Sequence, residues 1–170
     1  MPGKNITLIG MAGVGKTTVG KELAKLLDYK FVDVDSLIEK NSGLTIQGII
    51  DNNGDKELLR LEQEQIINLD FSMPTIVSPG GSAVYSEKAM AFLKEKTIVV
   101  FLDAQFEDIA RRVKDISGRG IIGLKQKSFR EVFEERIPLY KKFADIIVLR
   151  KPGLNAKDTA KEIAKIVKKD

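Results

Sequence analysis

Residues 10–17 read Gly-Met-Ala-Gly-Val-Gly-Lys-Thr and fit G-x-x-x-x-G-K-[ST], the pattern of a phosphate-binding loop. An apolar run, Ile6–Ile9, leads into it, and a helix-forming stretch, Val19–Leu27, leads out. Backbone N–H groups of such a loop wrap nucleotide phosphates, and the positive end of the following helix faces them. Gly13, Val14, Gly15, Lys16, Thr17 and Thr18 are therefore candidate nucleotide-binding residues. Lys16 would reach the β- and γ-phosphates, and the Thr17 hydroxyl would sit on Mg²⁺. The motif points to a nucleoside triphosphate and leaves the destination of its phosphate open.

Asp33-Val-Asp35 follows a second apolar run, Phe31–Val34. On a strand the two carboxylates would alternate across the pleat, and beside the phosphate loop both could reach the ligand crevice. One could accept or orient a hydroxyl proton while the other holds Mg²⁺ through water. The competing reading makes Asp35 the N-cap of a helix opening at Ser36. Pro79-Gly80-Gly81-Ser82 follows a third apolar run, where paired glycines let backbone approach a ligand. Arg119 and Arg136 could clamp anionic groups, as guanidinium forks do with carboxylates, or could be solvated surface charges, as could Arg60, Arg111 and Arg112. The sequence has neither histidine nor cysteine. Any general base must therefore be a carboxylate, a lysine or water, and a metal must be held by oxygen, which favours Mg²⁺.

These residues need a frame. Runs rich in β-formers at Ile6–Ile9, Phe31–Val34, Thr75–Ser78, Ile98–Leu102 and Ile146–Leu149 predict strands. Helical periodicity predicts helices over Val19–Leu27, Leu37–Lys40, Ile46–Asn52, Asp55–Leu69, Glu87–Lys94, Phe106–Lys114, Phe129–Phe143 and Ala156–Val167. That alternation argues for an α/β fold with a parallel sheet covered on both faces. Residues 115–127 hold three glycines without clean periodicity, which makes them a lid candidate. The length of 170 residues suits a single domain spanning 1–170. A net charge of +4 is modest, and the lysines of the last helix have no interleaved aromatics, so no nucleic-acid partner is expected. The N-terminal apolar run is only a strand long, so neither a membrane span nor a signal peptide is expected, and the cytoplasm is the default location.

Taken together, the ordered motifs resemble the shikimate kinases, within the P-loop nucleoside-monophosphate-kinase-like group, over roughly Ile6 to Val148. The likeness rests on the phosphate loop, Asp33-Val-Asp35, Gly80-Gly81-Ser-Ala-Val84, Arg119, and Glu135-Arg136-x-Pro138-Leu-Tyr140 followed by Ala144-Asp145. It implies a three-layer fold with five parallel strands in the order 2-3-1-4-5, a mobile lid, and a monomer. It also implies transfer of the ATP γ-phosphate to a ring hydroxyl of shikimate, with Mg²⁺. By position, Lys16 and Thr17 serve the phosphates and metal, Asp33 stands near the metal, and Asp35 holds the acceptor hydroxyls and acts as base. Gly80 and Gly81 line the acceptor pocket, Arg136 grips the acceptor carboxylate, and Arg119 closes from the lid onto the phosphates. Arg112 stacks on adenine, with Pro152 opposite.

Three positions depart from the family pattern. The helix motif G-E-x-x-F-R-x-x-E appears as Gly54-Asp-Lys-Glu-Leu58-Leu59-Arg60-Leu-Glu62, with Leu59 in place of the carboxylate-binding arginine. Arg60, one residue on, should point elsewhere, because one residue is about 100° around a helix. Losing a charge-assisted hydrogen bond of roughly 1.5–3 kcal/mol would weaken carboxylate binding about tenfold or more. Ser82 replaces a third glycine, and the lid motif R-P-L-L reads Arg119-Gly-Ile-Ile122, exchanging a stiff proline for a flexible Gly120. Leu59 and Ser82 thus mark the acceptor side as altered. A different hydroxylated acceptor, or a nucleotide-binding regulatory homologue with little catalysis, are the alternatives. A GTPase is disfavoured, since Asn155-Ala-Lys-Asp158 lacks the guanine-reading N-K-x-D order.

Overall fold

Ile, Val and Thr crowd five short runs of this chain, and in the computed structural model, which describes residues 4–169, each run is a strand of one sheet. The strands are β1 (Asn5–Ile9), β2 (Lys30–Asp33), β3 (Thr75–Ser78), β4 (Thr97–Asp103) and β5 (Ile146–Leu149), in the order β2-β3-β1-β4-β5. All pairings are parallel, with Ile6 opposite Ile76 on one side of β1 and Ile98 on the other. β3 is buried along its whole length and β1 nearly so, as expected where helices cover both faces.

The helices are α1 (Lys16–Leu27), α2 (Val34–Ser42), α3 (Ile46–Asn53), α4 (Asp55–Ile67), α5 (Glu87–Lys96), α6 (Phe106–Arg112), α7 (Phe129–Phe143) and α8 (Ala156–Val167). Their starts are chemically marked. Thr45, Ser86 and Asn155 accept N-terminal backbone N–H groups, and Ser128 with Glu131 forms a full capping box. Several expected bounds shift. α1 begins at Lys16, because the loop runs straight into the helix, and a short 3-10 turn over Ala83–Tyr85 follows the Gly-Gly pair.

The chain leaves β1 for β2, then returns to lay β3 between them, so neighbours on either side of β1 are reached in opposite directions. Such a reversal opens a crevice at the carboxyl ends of the strands. The phosphate loop after β1, Asp33 at the end of β2, and Pro79–Ser82 after β3 converge there. Beneath them Phe101 of β4 stacks on Tyr140 of α7 at 5.2 Å, and the buried Tyr140 hydroxyl donates to the Gly81 carbonyl at 2.7 Å. The floor of the crevice is therefore part of the core.

Candidate active site

The phosphate loop ends at Gly15, which caps α1 without a side chain and leaves the first helical N–H groups open to an anion. Lys16 is buried and folds back on its own loop, with Nζ donating to the carbonyls of Gly10 at 2.7 Å and Met11 at 3.2 Å. Burial disfavours its charge and lowers its pKa to about 8, an effect that the Asp35 carboxylate partly opposes. Gly13, Gly15, Lys16, Thr17 and Thr18 all line one cleft of about 580 Å³. Val14 differs: its side chain is core, and its carbonyl accepts from Arg112 Nη1 and Arg150 Nε, both at 3.3 Å.

The double aspartate is not arranged as a strand. β2 stops at Asp33, and Val34 already opens α2, so the carboxylates do not alternate across a pleat. Asp33, rather than Asp35, is the N-cap: Oδ1 accepts from the Ser36 N–H at 3.3 Å. Its other oxygen accepts from the Thr17 hydroxyl at 3.2 Å, which ties the end of β2 to the start of α1. Asp35 sits in the first turn of α2 and lines the cleft opposite the loop, with no hydrogen bond to its carboxylate among the described residues. Burial, and then the neighbouring Asp33 charge, raise its pKa to about 6, while Lys16 pulls it down.

Gly80 and Gly81 form the wall between Asp35 and α4. A Cβ on Gly80 would fall 2.5 Å from Glu62 Oε1 and 2.9 Å from Asp35 Oδ1, so only glycine fits between the two carboxylates. At Gly81 a Cβ would meet Arg136 Nη1 at 3.0 Å. Glu62 is 2 % exposed; the Ser82 hydroxyl donates to its Oε2 at 2.7 Å, Oε1 is buried against Gly80, and the Gly80 backbone N–H also interacts with the carboxylate. Burial, with the Asp35 charge adding to it, lifts the Glu62 pKa to about 7.

Arg136, 1 % exposed on α7, reaches the same space. Its Nε donates to the Tyr85 hydroxyl at 3.3 Å and its Nη2 to the Ile122 carbonyl at 2.9 Å, so it holds down the 115–127 segment. That segment lies against α3 and α4: the Gly120 N–H donates to Gln47 Oε1 at 2.9 Å and the Gly123 N–H to Asp55 Oδ2 at 3.1 Å. The compartment beneath it, walled by Ile46, Leu58, Gly120, Ile121 and Ile122, has only about 40 Å³ of free space. Arg119 lines both this compartment and the larger cleft.

A phosphate loop, an unpaired carboxylate and a buried arginine around one crevice form the layout of a small-molecule kinase. The family model described as shikimate kinase matches residues 12–168 of this chain. The chain belongs to the shikimate kinase family. A shikimate kinase of Thermodesulfovibrio yellowstonii is 34% identical over 164 residues, covering 95% of this chain and 94% of the relative. One from Caldanaerobacter subterraneus is 33% identical over 147 residues, 85% of each chain. Among solved structures, shikimate kinase from Acinetobacter baumannii in complex with shikimate superposes with a TM-score of 0.89 at 30% identity, over 98% of this chain and 94% of that one. The enzyme from Aquifex aeolicus gives 0.82 at 34% identity, over 96% of each chain. As a shikimate kinase family member the chain is an ATP-dependent phosphotransferase, with the five-stranded sheet and helix-covered faces expected of it.

Most of the sequence-derived residues meet in the crevice: the loop, Asp33, Asp35, Gly80, Gly81, Arg112, Arg119 and Arg136. Three expectations fail. Pro152 is exposed and lies outside the cleft; Arg150 and Ala156 line that side instead. Leu59 packs against the core and lines neither compartment, the wall position falling to Leu58 one residue earlier. Gly120 is not a flexible substitute for proline. Its φ of +66° is closed to proline, and a Cβ would strike Ile46 Cγ2 at 2.4 Å. Arg60 points away as expected and pairs with Glu57 and Glu64 on the surface. Arg150 lines the cleft without having been singled out in the sequence, though it left a trace at the carboxyl end of β5.

Proposed function

We propose that this chain transfers the γ-phosphoryl group of ATP to a hydroxyl of a small hydroxylated carboxylic acid, with shikimate as acceptor and shikimate 3-phosphate as product. The observation that carries the reading is a cleft in which Lys16 and the loop face Asp35, with Arg136 in the small adjoining compartment that shares Asp35, Gly80, Gly81 and Arg119 with it. Asp35 makes no competing hydrogen bond and, at about 6, is largely ionised at neutral pH. It takes the proton from the attacking hydroxyl as that oxygen bonds the γ-phosphorus and the β–γ bridging bond breaks, leaving ADP. Arg136 Nη1, next to Gly81, holds the acceptor carboxylate. Lys16 leaves the Gly10 and Met11 carbonyls for the phosphates, and Arg119 adds positive charge from the lid. Arg112 flanks the nucleotide end of the cleft and is the adenine-side residue, with Arg150 beside it.

Thr17 and Asp33 offer two adjacent oxygens at the loop, a donor set that suits a Mg²⁺ completing its shell with water and phosphate. When bound, that ion would neutralise charge on the phosphates. We further read the chain as one kinase domain acting as a monomer in the cytoplasm without nucleic-acid or membrane partners. The modest net charge is in keeping with no nucleic-acid partner.

The test is a coupled ADP-release assay with shikimate. Shikimate-dependent turnover at ordinary enzyme rates is expected; none, from folded protein that binds ATP, would sink the reading. Ser82 on the compartment wall favours a second reading, the same chemistry on another hydroxylated acid, since Arg136 is the one arginine of that wall outside the lid. A panel of hydroxylated acids separates the two: a higher kcat/KM for another acid than for shikimate favours the second reading.

A further inference from the structure

Arg136 is a buried cation held by neutral groups. No ion pair to it occurs among the described residues. Its Nε donates to the Tyr85 hydroxyl at 3.3 Å and its Nη2 to the Ile122 carbonyl at 2.9 Å, while the Tyr140 hydroxyl also interacts with the guanidinium. Tyr85 stands out among these partners through the direction of its one proton. That hydroxyl donates to Glu135 Oε1 at 2.7 Å, so its lone pairs are what Arg136 Nε meets. Glu135 is paired in turn with Lys127, at the end of the 115–127 segment. Glu135 and Arg136 are consecutive on α7 but about 100° apart around it, so Tyr85, not the helix, joins them. The contacts therefore run from Lys127 through Glu135, Tyr85 and Arg136 back to Ile122 in the same segment.

Tyr85 is well fixed for this place. It closes the 3-10 turn after the Gly-Gly pair, its N–H donates to the Ser82 carbonyl at 3.0 Å, and Ala83 and Val84 are buried in the core. Its ring centre lies 5.3 Å from the guanidinium carbon, within reach of a cation–π contact. A guanidinium can grip a carboxylate through Nε with Nη2 or through its two terminal nitrogens. Tyr85 closes the first edge and leaves the second, with Nη1 beside Gly81 on the wall of the small compartment.

We propose that Tyr85 is a positioning residue for the acceptor: its hydroxyl, oriented by Glu135, occupies Arg136 Nε so that the end of the fork meets the acceptor carboxylate. The proposal rests on the acceptor reading above. Without the hydroxyl, Nε is a buried donor lacking its partner, and the fork turns to recover a bond at the expense of the acceptor.

The experiment measures kcat and KM for shikimate, and the KM or competitive Ki of its carboxamide analogue, in wild type, Tyr85→Phe and Glu135→Ala. Tyr85→Phe keeps the ring and removes only the hydroxyl. Losing a hydrogen bond to a charged group predicts a KM for shikimate about five- to tenfold higher, with kcat within about twofold and KM for ATP unchanged. The neutral carboxamide gives the fork no charge to grip and should weaken less than about twofold, so the preference for the carboxylate shrinks. Glu135→Ala, at an exposed position of α7, frees the Tyr85 proton and should raise KM for shikimate about two- to fivefold. Melting temperatures report folding. An unchanged KM for shikimate in folded Tyr85→Phe overturns the proposal, as does equal weakening of carboxylate and carboxamide, the mark of a purely structural role. Should Tyr85→Phe not fold, Glu135→Ala decides on the same criteria. No turnover of shikimate by wild-type protein that still binds ATP would instead overturn the acceptor reading.

Discussion

Replacing Glu62 by glutamine should make the ligand-free protein more stable at neutral pH and leave it almost unchanged in acid. The side chain has an ordinary pKa of 4.5, and burial in the fold raises it to about 7. A raised carboxyl means the native state keeps a proton that the unfolded chain has released. Its contribution is complete below pH 4.5 and is lost as the pH climbs through about 7. Integrated over that window the shift is worth up to about 3 kcal/mol, at 1.36 kcal/mol per pH unit. Glutamine has no proton to lose. In a domain of this size the variant should therefore gain about 6–10 °C in melting temperature over wild type between pH 5 and pH 8. Asp35 has the same sign of slope, but it is present in both proteins, and Lys16, at about 8, stays mostly charged through the window. Thermal unfolding followed by circular dichroism at pH 5, 6, 7 and 8, without nucleotide, measures the difference directly. A gap that stays flat or narrows as pH rises would refute the reasoning, because it would mean that Glu62 is ionised in the native state like any surface carboxylate.

Further outcomes follow from the same geometry. Asp35→Asn should lower kcat at least about a hundredfold, since a positioned base supplies about 10²–10⁴, while ATP binding by calorimetry stays within twofold; near-normal turnover would remove Asp35 from its role. Gly120→Ala adds a methyl 2.4 Å from Ile46 Cγ2 at a φ of +66°. Strain of about 1–2 kcal/mol plus overpacking should raise KM for the acceptor about tenfold or more and leave KM for ATP unchanged, as steady-state kinetics would report. Limited proteolysis of the 115–127 segment should slow when ATP and acceptor are added together; unchanged cleavage would argue against its closing over ligands.

The nucleotide half of this site was legible because it is local: eight consecutive residues, a strand before and a helix after, make their own geometry. The strand order was accessible only through the family resemblance. The acceptor half depends on residues far apart in sequence, and there the local patterns misled. Asp33 and Asp35 look like an alternating strand pair, yet the cap formed by Asp33 to Ser36 turns the chain into a helix two residues earlier than a cap at Asp35 would. Gly120 reads as flexible when only its neighbours in sequence are known; its contact is Ile46, far away in the chain. Leu59 and Leu58 are indistinguishable by type, and only the rotation of α4 decides which one faces the ligand. Pro152 and Arg150 pose the same problem across a turn, where periodicity offers no guide.

The way the 115–127 segment is fastened also sets a speed limit. It is held by hydrogen bonds from Gly120 to Gln47, Gly123 to Asp55 and Arg136 to the Ile122 carbonyl, by the Lys127–Glu135 pair and by the buried Ile121 and Ile122, over a compartment of about 40 Å³ that cannot admit a ring. At roughly 1 kcal/mol each, releasing the three hydrogen bonds alone costs about 3 kcal/mol, so at most roughly one molecule in a hundred stands open at any moment. An acceptor arriving at a diffusional 10⁸–10⁹ M⁻¹s⁻¹ finds an entrance at most about 1% of the time, and kcat/KM is capped near 10⁶–10⁷ M⁻¹s⁻¹ however fast the chemistry runs.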